Sequence, residues 1–404
     1  MLNTGHTGFM LVATSLVMLM TPGLAFFYGG LVGRKNVLTI MTQSFVSLGV
    51  TTIIWFAFGY SLCFSGGEGG IIGNFDKAFL IGVTLNDMFP DKGGVIPEFL
   101  FFAYQMMFAI ITPALITGAF SNRVRFPAYL IFLVAWLIFV YFPFVHMIWG
   151  GGLLASWGVK DFAGGIAVHN IAGMAALASV LYVGKRRKKE SQPHSIPLVA
   201  LGTGLLWFGW YGFNAGSQLQ VDHVTVTAFI NTDIAASFAA ISWLFLEWFL
   251  VKKPKFVGLL TGAVAGLATI TPAAGFVTPV SAAIMGIAAG VVCYGAVSLK
   301  NRLKWDDALD VWGVHGVGGA LGIIMLGLLA NETIGGQSGL FYGGNSGFFM
   351  IQVVAVIISS VYAFAFTYGM LWAINLVTSV KTSETEEAEL DKQMHGETAY
   401  ESGI

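Results

Sequence analysis

Two histidines lie within apolar stretches of this chain, and each follows an aspartate in a glycine-rich segment. The first is His169, in the stretch that begins at Asp161, and the second is His315, in the stretch that begins at Asp310. An ionised side chain inside a bilayer costs about 2.5 kcal/mol or more, so such a residue is by default a candidate functional site. Two histidines in matching contexts therefore indicate a pathway.

The composition is that of a membrane protein. Of the 404 residues, 56% are hydrophobic and 10% are charged, against about 25% charged residues in ordinary soluble domains. The net charge of −1 gives no indication of a nucleic-acid partner. Only Cys63 and Cys293 are present, each in an apolar run, which argues against a disulfide framework. We find no nucleophile triad, phosphate loop or metal-ligand cluster, so we expect no enzyme, cofactor or metal site.

Hydropathy predicts an all-α polytopic membrane protein with eleven transmembrane helices, because about 20 apolar residues cross a hydrocarbon core of ~30 Å. The predicted spans are 7–31, 39–63, 98–120, 127–148, 163–184, 197–218, 226–250, 257–274, 278–298, 311–331 and 347–379. The chain thus divides into a transmembrane domain, 1–379, and a C-terminal tail, 380–404.

Basic residues predict the orientation, because Lys and Arg are retained on the cytoplasmic side. With the N-terminus outside, 17 of the 20 fall inside and only Lys77, Lys92 and Lys160 fall outside. We therefore predict a cytoplasmic tail. No Lys or Arg precedes Arg34, so either the first span enters with its outside end first or a signal sequence is left out of this numbering. Apart from the deep pair, the histidines fall at the outer face, His6, His146 and His223, or at the inner face, His194 and His395.

The two deep histidines belong to an internal repeat. The stretch 168–173, Val-His-Asn-Ile-Ala-Gly, resembles 314–319, Val-His-Gly-Val-Gly-Gly, and the two fall in the fifth and tenth spans. Since five is an odd number, the two halves must enter the membrane in opposite directions. This predicts an inverted five-plus-five repeat, 7–184 and 197–331, with an extra C-terminal helix, and a substrate path at the interface of the halves.

Helix geometry sets a condition on whether the histidines meet. At 1.5 Å per residue, His169 lies about 12 Å and His315 about 7.5 Å beyond their aspartates. With both aspartates at the edges of a ~30 Å core, about 10 Å would separate the imidazoles. The rings meet only if one or both helices begin below the interface. Each aspartate is also a favoured N-cap, and we expect both to accept the free amides of the first turn.

Several stretches, taken together and in order, resemble the ammonium transporter family, the Amt and Mep branch that is related to Rhesus proteins. The matching stretches are 22–30 with 35–37, 105–108, 149–152, 161–165 with His169, 210–217 and 310–319. Any one of them alone, such as Trp-Gly-Gly-Gly, would be weak. The likeness runs from the first span to the tail.

The resemblance implies a role for individual residues. Trp149 and Ser217, with Phe108 beside them and Asp161 as the supporting acid, match an outer vestibule that recruits ammonium, where an indole face attracts a cation. Phe108 and Phe213 match a stacked pair that closes the pore below it. The residues that match the twin histidines and the positions lining or bracing the pore are His169, His315, Tyr28, Phe27, Gln105 and Trp210.

The implied function is ammonium transport across a cell (inner) membrane. Deprotonation at the vestibule would exclude potassium, neutral ammonia would pass the histidines, and separate proton transfer would make the process electrogenic. Two other classes stay open on the residues alone. A neutral-gas channel of the Rhesus type would pass ammonia without current, and a receptor with the same fold would bind ammonium without useful flux.

The resemblance also implies partners. Family members are homotrimers with one pore in each subunit. An acidic, polar tail is typical of a solvated, disordered end, but this tail resembles the family's cytoplasmic region that takes part in regulation by a PII-type signalling protein. The matching residues are Leu390, Asp391, His395, Gly396, Glu397 and Tyr400.

Three positions depart from the family pattern or add a charge. Leu309 replaces a residue that is often small, so we expect a narrower inner exit. Asp233 adds an acid near the outer end of the seventh span, where it would cap the helix or shape the outer field. Glu247 lies near Lys252 and the inner surface, so we expect it to snorkel and assign it no transport role.

Overall fold

The computed structural model describes residues 2–90, 94–187 and 192–400. Lys92, Lys188 and Lys189, which count in the orientation argument, lie outside these ranges, as do the last four residues of the predicted tail.

The described residues form ten helices that are long and apolar enough to cross a membrane. They are Thr4–Leu31, Val37–Phe64, Glu98–Ile116, Phe126–Ser156, Gly165–Val183, Ile196–Gln218, His223–Val251, Pro279–Arg302, Trp312–Leu329 and Ser346–Val377. Strand is confined, within the described ranges, to the short antiparallel pair Met88–Phe89 and Ile96–Pro97 in the outer loop. The predicted all-α polytopic fold is confirmed.

The eighth predicted span is a shorter helix, Phe256–Ile270, of 15 residues. At 1.5 Å per residue it extends only about 22 Å, so the count of eleven crossings stays a prediction. Its early end has a local cause, because Pro272 cannot continue the helical hydrogen bonding. The turn that follows is held by Asn231, whose side-chain amide donates to the carbonyls of Ala274 at 2.9 Å and Val277 at 2.7 Å.

The two histidine-bearing spans cross at glycines in equivalent positions of the repeat. Gly173 and Gly319 each lie four residues after a deep histidine. A Cβ atom at Gly173 would lie 2.0 Å from the backbone nitrogen of Gly316, and one at Gly319 would lie 2.6 Å from the carbonyl oxygen of Gly165. Each half thus supplies the glycine against which the start of the other half's histidine-bearing span packs, as expected for an inverted repeat.

We predict that Gly319→Ala lowers the stability of the purified protein by about 1–3 kcal/mol, the usual cost of overpacking a close contact. The new methyl group would meet backbone that cannot move aside cheaply. Thermal unfolding in detergent measures the effect. Gly204→Ala on the sixth span is the matched control, because a Cβ there meets no atom within 4 Å. Equal unfolding temperatures for the two variants would contradict the crossing.

Two acids in the spans have partners other than those that the sequence indicated. Asp233 does not cap the seventh span, because the helix begins ten residues earlier at His223 and Asp222 forms its capping box. Asp233 instead accepts hydrogen bonds from the Trp207 indole at 3.1 Å and the Tyr211 hydroxyl at 2.8 Å. Glu247 pairs at 4.0 Å with Lys255 rather than with Lys252.

Candidate functional site

The two deep histidines touch. Nδ1 of His315 lies 3.2 Å from Nδ1 of His169, and the ring centroids are 5.2 Å apart with planes inclined by 23°. Both side chains are buried. One Nδ1 atom must donate and the other accept, so the pair shares a proton along this contact. Nε2 of His169 is buried without a hydrogen-bond partner in the described residues.

The imidazoles are therefore not separated by the gap of about 10 Å that is expected if both helices begin at the edges of the membrane. Asp161 is buried, and the non-helical segment 157–164 precedes the fifth span, so this helix begins inside the protein. Both histidines lie on π-helical turns, Gly165–Asn170 and Trp312–Gly316, which open the normal helical spacing at these positions. Repeat-related turns therefore carry the repeat-related histidines.

Asp161 caps its span as predicted. One carboxylate oxygen accepts from the amides of Gly164 at 2.9 Å and Gly165 at 2.6 Å. The other accepts from the amides of Ile166 at 2.8 Å and Ala167 at 3.1 Å. The carboxylate is thus fully engaged in holding the start of the helix that carries the first histidine.

Asp310 does not cap its span, and this prediction was wrong. Its backbone is left-handed, with φ +60°, and its carboxylate accepts from Nζ of Lys300 at 2.6 Å. The cap is Asp307, which accepts from the Trp312 amide at 2.8 Å. The left-handed turn at Asp310 brings the Asp307 carboxylate, three residues earlier in the chain, to the first free amides of the helix. The signal in the sequence is the acidic pair 306–307, which the sequence analysis passed over.

Trp149, Asp161 and Ser217 line an open cavity of about 710 Å³. The indole nitrogen of Trp149 donates to the carbonyl of Asp161 at 2.8 Å, which fixes the ring. The Ser217 hydroxyl donates to the carbonyl of Phe213 at 2.9 Å and lies 3.3 Å from the hydroxyl of Tyr104. The sequence analysis missed Tyr104, which also donates to the carbonyls at 212 and 213.

A phenylalanine pair separates this cavity from the histidines. The rings of Phe108 and Phe213 are 4.3 Å apart between centroids and inclined by 34°, and both residues are 1% exposed. Phe108 also meets Trp149 edge to face at 5.9 Å. Phe213 in turn lies 6.0 Å from the ring of His169, so the phenylalanine pair lies between Trp149 and the histidines.

A small chamber lies at the histidines. It measures about 10 Å³, the space of roughly one water molecule. Its lining is Met20, Leu24, Phe27, Ile111, Leu115, Val168, His169, Leu206, Trp210, Phe213, Val264 and His315. Trp210 is held by a hydrogen bond from its indole nitrogen to Thr271 at 2.9 Å. Thr271 follows the eighth helix, so the early end of that helix provides a brace for the chamber wall.

On the other side of the histidines is a cavity of about 190 Å³ lined by Phe27, Tyr28, Leu309, Asp310 and His315, among others. The hydroxyl of Tyr28 donates to the carbonyl of Leu115 at 2.8 Å, which braces the wall. Gln105 is not among the lining residues of these three cavities within the described chain. The Oε1 atom of Gln105 is buried without a hydrogen-bond partner among the described residues.

The described part of the tail packs against the loops between spans. Asp391 accepts from the amides of Leu38 at 3.0 Å and Thr39 at 2.8 Å, and so caps the second span. Leu390 is buried, and Gly396 ends the short helix Leu390–His395 with φ +70°. The tail's ion pairs are Glu386 with Arg125, Glu387 with Arg187 and Glu389 with Lys35.

The end of the tail makes aromatic contacts, while Glu397 is exposed. The ring of His395 meets Phe126 at 5.2 Å, and the hydroxyl of Tyr400 lies 2.9 Å from Nε2 of His194. The described tail residues thus form short helices with specific contacts, unlike the solvated, disordered end that an acidic, polar composition favours.

Known proteins are similar to this chain over nearly its full length. The model of the ammonium transporter family matches residues 8–400. The ammonium transporter of Bacillus subtilis is 45% identical over 405 residues, which cover 99% of both chains. The ammonium transporter Amt1 of Archaeoglobus fulgidus is 42% identical over 99% of this chain and 100% of its own.

Solved structures are similar over the same length. Candida albicans Mep2 has a TM-score of 0.88 and 34% identity, over 95% of this chain and 88% of that chain. A structure titled sensor Amt protein has a TM-score of 0.88 and 28% identity, over 96% of both chains. The chain is a multi-pass membrane protein that belongs to the ammonium transporter family.

Proposed function

We propose that this protein recruits ammonium at the outer cavity, removes its proton and conducts ammonia past His169 and His315, while the proton crosses separately and makes transport electrogenic. One observation carries the proposal. Nε2 of His169 is a buried polar atom without a partner in the described residues, beside a chamber of about one small molecule. A buried unpaired nitrogen is costly, so a transient hydrogen-bonding guest accounts for it.

The outer cavity supplies a recruitment site. The indole edge of Trp149 is held by the Asp161 carbonyl, so the ring face is preorganised for a cation. The Ser217 hydroxyl gives its own proton to a carbonyl and keeps its lone pairs for an N–H donor. Asp161 would act through its charge and by positioning, because its carboxylate already accepts four amides.

Selectivity follows from the path below this site. Ammonium and potassium resemble each other in size and charge, so coordination alone separates them poorly. Desolvating an ion between the phenyl rings of Phe108 and Phe213 and in the chamber beyond is costly. Ammonium can give up a proton and pass as ammonia, whereas potassium cannot. The deprotonation step is then the filter.

The histidine pair suits both parts of this scheme. Its Nδ1–Nδ1 contact holds one shared proton, which leaves the Nε2 nitrogens to exchange hydrogen bonds with the guest. An imidazole can also take up a proton at one ring nitrogen and release one from the other, so the same pair offers a proton route. Tyr28, Phe27 and Trp210 would line or brace this route, and Gln105 would brace it from outside the cavities.

An ammonium receptor is the second candidate, because one similar structure is titled sensor Amt protein. Electrophysiology on proteoliposomes containing the purified protein distinguishes the classes. We expect an ammonium pulse to evoke a current and a potassium pulse to evoke none. Ammonia flux without current would indicate a neutral-gas channel, and binding without current or flux would indicate a receptor. Apart from the loss of a proton, the substrate is chemically unchanged in this scheme.

We further propose the assembly and placement of the protein. Residues 1–379 form the transmembrane domain of a homotrimer in the cell (inner) membrane, with the N-terminus outside. Residues 380–404 form a cytoplasmic regulatory tail that a PII-type protein would contact. The docking of Leu390 and Asp391 beside the second span supports an ordered tail. A pull-down without nucleotide-sensitive PII association would argue against this partner.

We predict that acid releases the tail. Burial disfavours the charge of Glu386, but bonds from the Ser383 amide and the Arg125 guanidinium outweigh it and lower its pKa. The Lys35 ammonium likewise lowers the pKa of Glu389. Carboxylates with lowered pKa values stabilise docking above the ordinary carboxyl pKa, and that stabilisation is lost as the pH falls through the lowered values. The protection factors of 383–395 against hydrogen exchange, which are corrected for the intrinsic pH dependence of exchange, should therefore fall as the pH drops below about 5.

Glu386→Gln is the control for this prediction. It should weaken protection of the tail already at neutral pH and reduce the change on acidification. Protection that is independent of pH in the parent protein would contradict the role of these ion pairs.

A further inference from the structure

His146 is a fully buried histidine near the outer end of the fourth span that the proposed path does not use. Its Nδ1 lies 2.9 Å from the carbonyl oxygen of Cys63, at the end of the second span. Its Nε2 lies 2.9 Å from the carbonyl oxygen of Gly67, in the outer loop. The ring thus joins three segments through both of its nitrogens.

Both ring nitrogens face carbonyl oxygens, and a carbonyl oxygen can only accept a hydrogen bond. The ring therefore donates from a nitrogen that carries a proton, and it is enclosed between the second span and the outer loop.

We propose that His146 is a positioning residue that fastens the outer loop to the segment carrying Trp149, and so shapes the outer recruitment site. This inference rests on the proposed function of that site. The residue acts through its neighbours rather than on ammonium itself, since it does not line the outer cavity.

The backbone around His146 transmits the contact. The carbonyl of His146 accepts from the Gly152 amide at 3.0 Å, and the Gly69 amide donates to the Gly151 carbonyl at 3.1 Å. A Cβ at Gly150 would lie 2.1 Å from the Cys63 carbonyl oxygen, so the glycine run 150–152 admits the loop. Trp149 stands between these anchor points. Loss of the loop contact would therefore loosen the turn that orients the indole.

Few ionisable groups lie on the segments packed around the ring. Glu68 follows Gly67 in the loop and is exposed, and the Cys63 thiol and the Tyr141 hydroxyl are buried nearby. The Asp161 carboxylate is engaged by four amides. The two carbonyl oxygens are therefore the polar groups that the ring contacts directly.

Hydrogen exchange of His146→Gln tests the fastening of the outer loop, whether or not the protein transports ammonium. We expect residues 65–73 to exchange faster than in the parent protein, because the loop loses its contact with the ring. Exchange of these residues at the parent rate would overturn the inference.

Transport kinetics test the positioning role. In His146→Gln we expect a severalfold higher ammonium concentration for half-maximal current, with the maximal current nearly unchanged. A loss of maximal current at an unchanged half-maximal concentration would overturn the positioning role.

Two further variants keep this test decisive. Gly67→Ala loosens the loop from its own side, because its Cβ would lie 2.7 Å from the Ile72 carbonyl oxygen and 2.9 Å from Nε2 of His146, on a backbone with φ +70°. It should reproduce the shift even if His146→Gln folds poorly. His6→Gln removes an outer histidine that binds a single backbone amide, that of Val221, and should match the parent protein. Unchanged half-maximal concentrations in both His146→Gln and Gly67→Ala would overturn the positioning role.

Discussion

Replacement of both His169 and His315 by alanine is expected to abolish the ammonium-evoked current, a loss of about a hundredfold or more if the pair acts as a proton relay. The imidazoles meet through their Nδ1 atoms in a buried chamber. Alanine would remove the shared proton and the open Nε2 nitrogen, and leave an apolar gap with no acceptor for a proton. Electrophysiology on proteoliposomes, with potassium as the second cation, measures the outcome.

Control variants are needed to interpret this result. His6→Ala removes an outer histidine that is remote from the chamber and should keep the parent current. Each single alanine variant reports whether one imidazole suffices. An undiminished current that still excludes potassium would refute the relay, because selectivity and charge transfer would then persist without the pair. A potassium current in the double variant would show that the imidazoles also keep ions out of the chamber.

Asp161→Ala is expected to destabilise the protein by about 3 kcal/mol or more and to lower the current of what remains folded. The substitution leaves four buried amides without an acceptor, and each buried unsatisfied donor costs about 1–3 kcal/mol, although such costs do not add fully. It also frees the start of the helix that carries His169. Thermal unfolding and the ammonium-evoked current on the same preparations measure the two effects.

The repeat offers matched variants for this prediction. Asp307→Ala removes the other observed cap and should also destabilise, since its carboxylate accepts from the Trp312 amide. Asp310→Ala removes the acid that only the sequence assigned as a cap, and its main loss is the pair with Lys300. We expect it to be the mildest of the three. If Asp310→Ala were as damaging as Asp161→Ala while Asp307→Ala were mild, the cap assignment would be wrong.

Much of the site could be predicted because its signals are local. An imidazole in an apolar run is conspicuous, since lipid penalises it unless it has a use. The stretches around Trp149, Phe108 and Ser217 resembled one family in order, and the structure places Trp149 and Ser217 at one cavity with Phe108 in contact with Trp149. Asp161 precedes an apolar span at capping distance, and it caps.

The misses have one cause in common, because each depends on a backbone turn or on a distant partner. Asp310 looks like a cap until its left-handed backbone directs Asp307 to the helix instead. Asp233 looks like a helix end until Asp222 is found at the true start. Tyr104 contacts Ser217, and Thr271 accepts a hydrogen bond from Trp210, in each case from a distant part of the chain. Nothing in the local sequence of Tyr104 or Thr271 predicts these contacts.

The sequence by itself determined that this is a membrane protein of apolar helices with two deep histidines in a repeat, because hydropathy and spacing are properties of short segments in contact with lipid. Only the tertiary structure decided that Nδ1 of His169 meets Nδ1 of His315, two atoms 146 residues apart in the chain. That contact depends on how closely two helices cross. The crossing is set by Gly173 and Gly319, which admit the backbone of the opposite half where a side chain would hold it away.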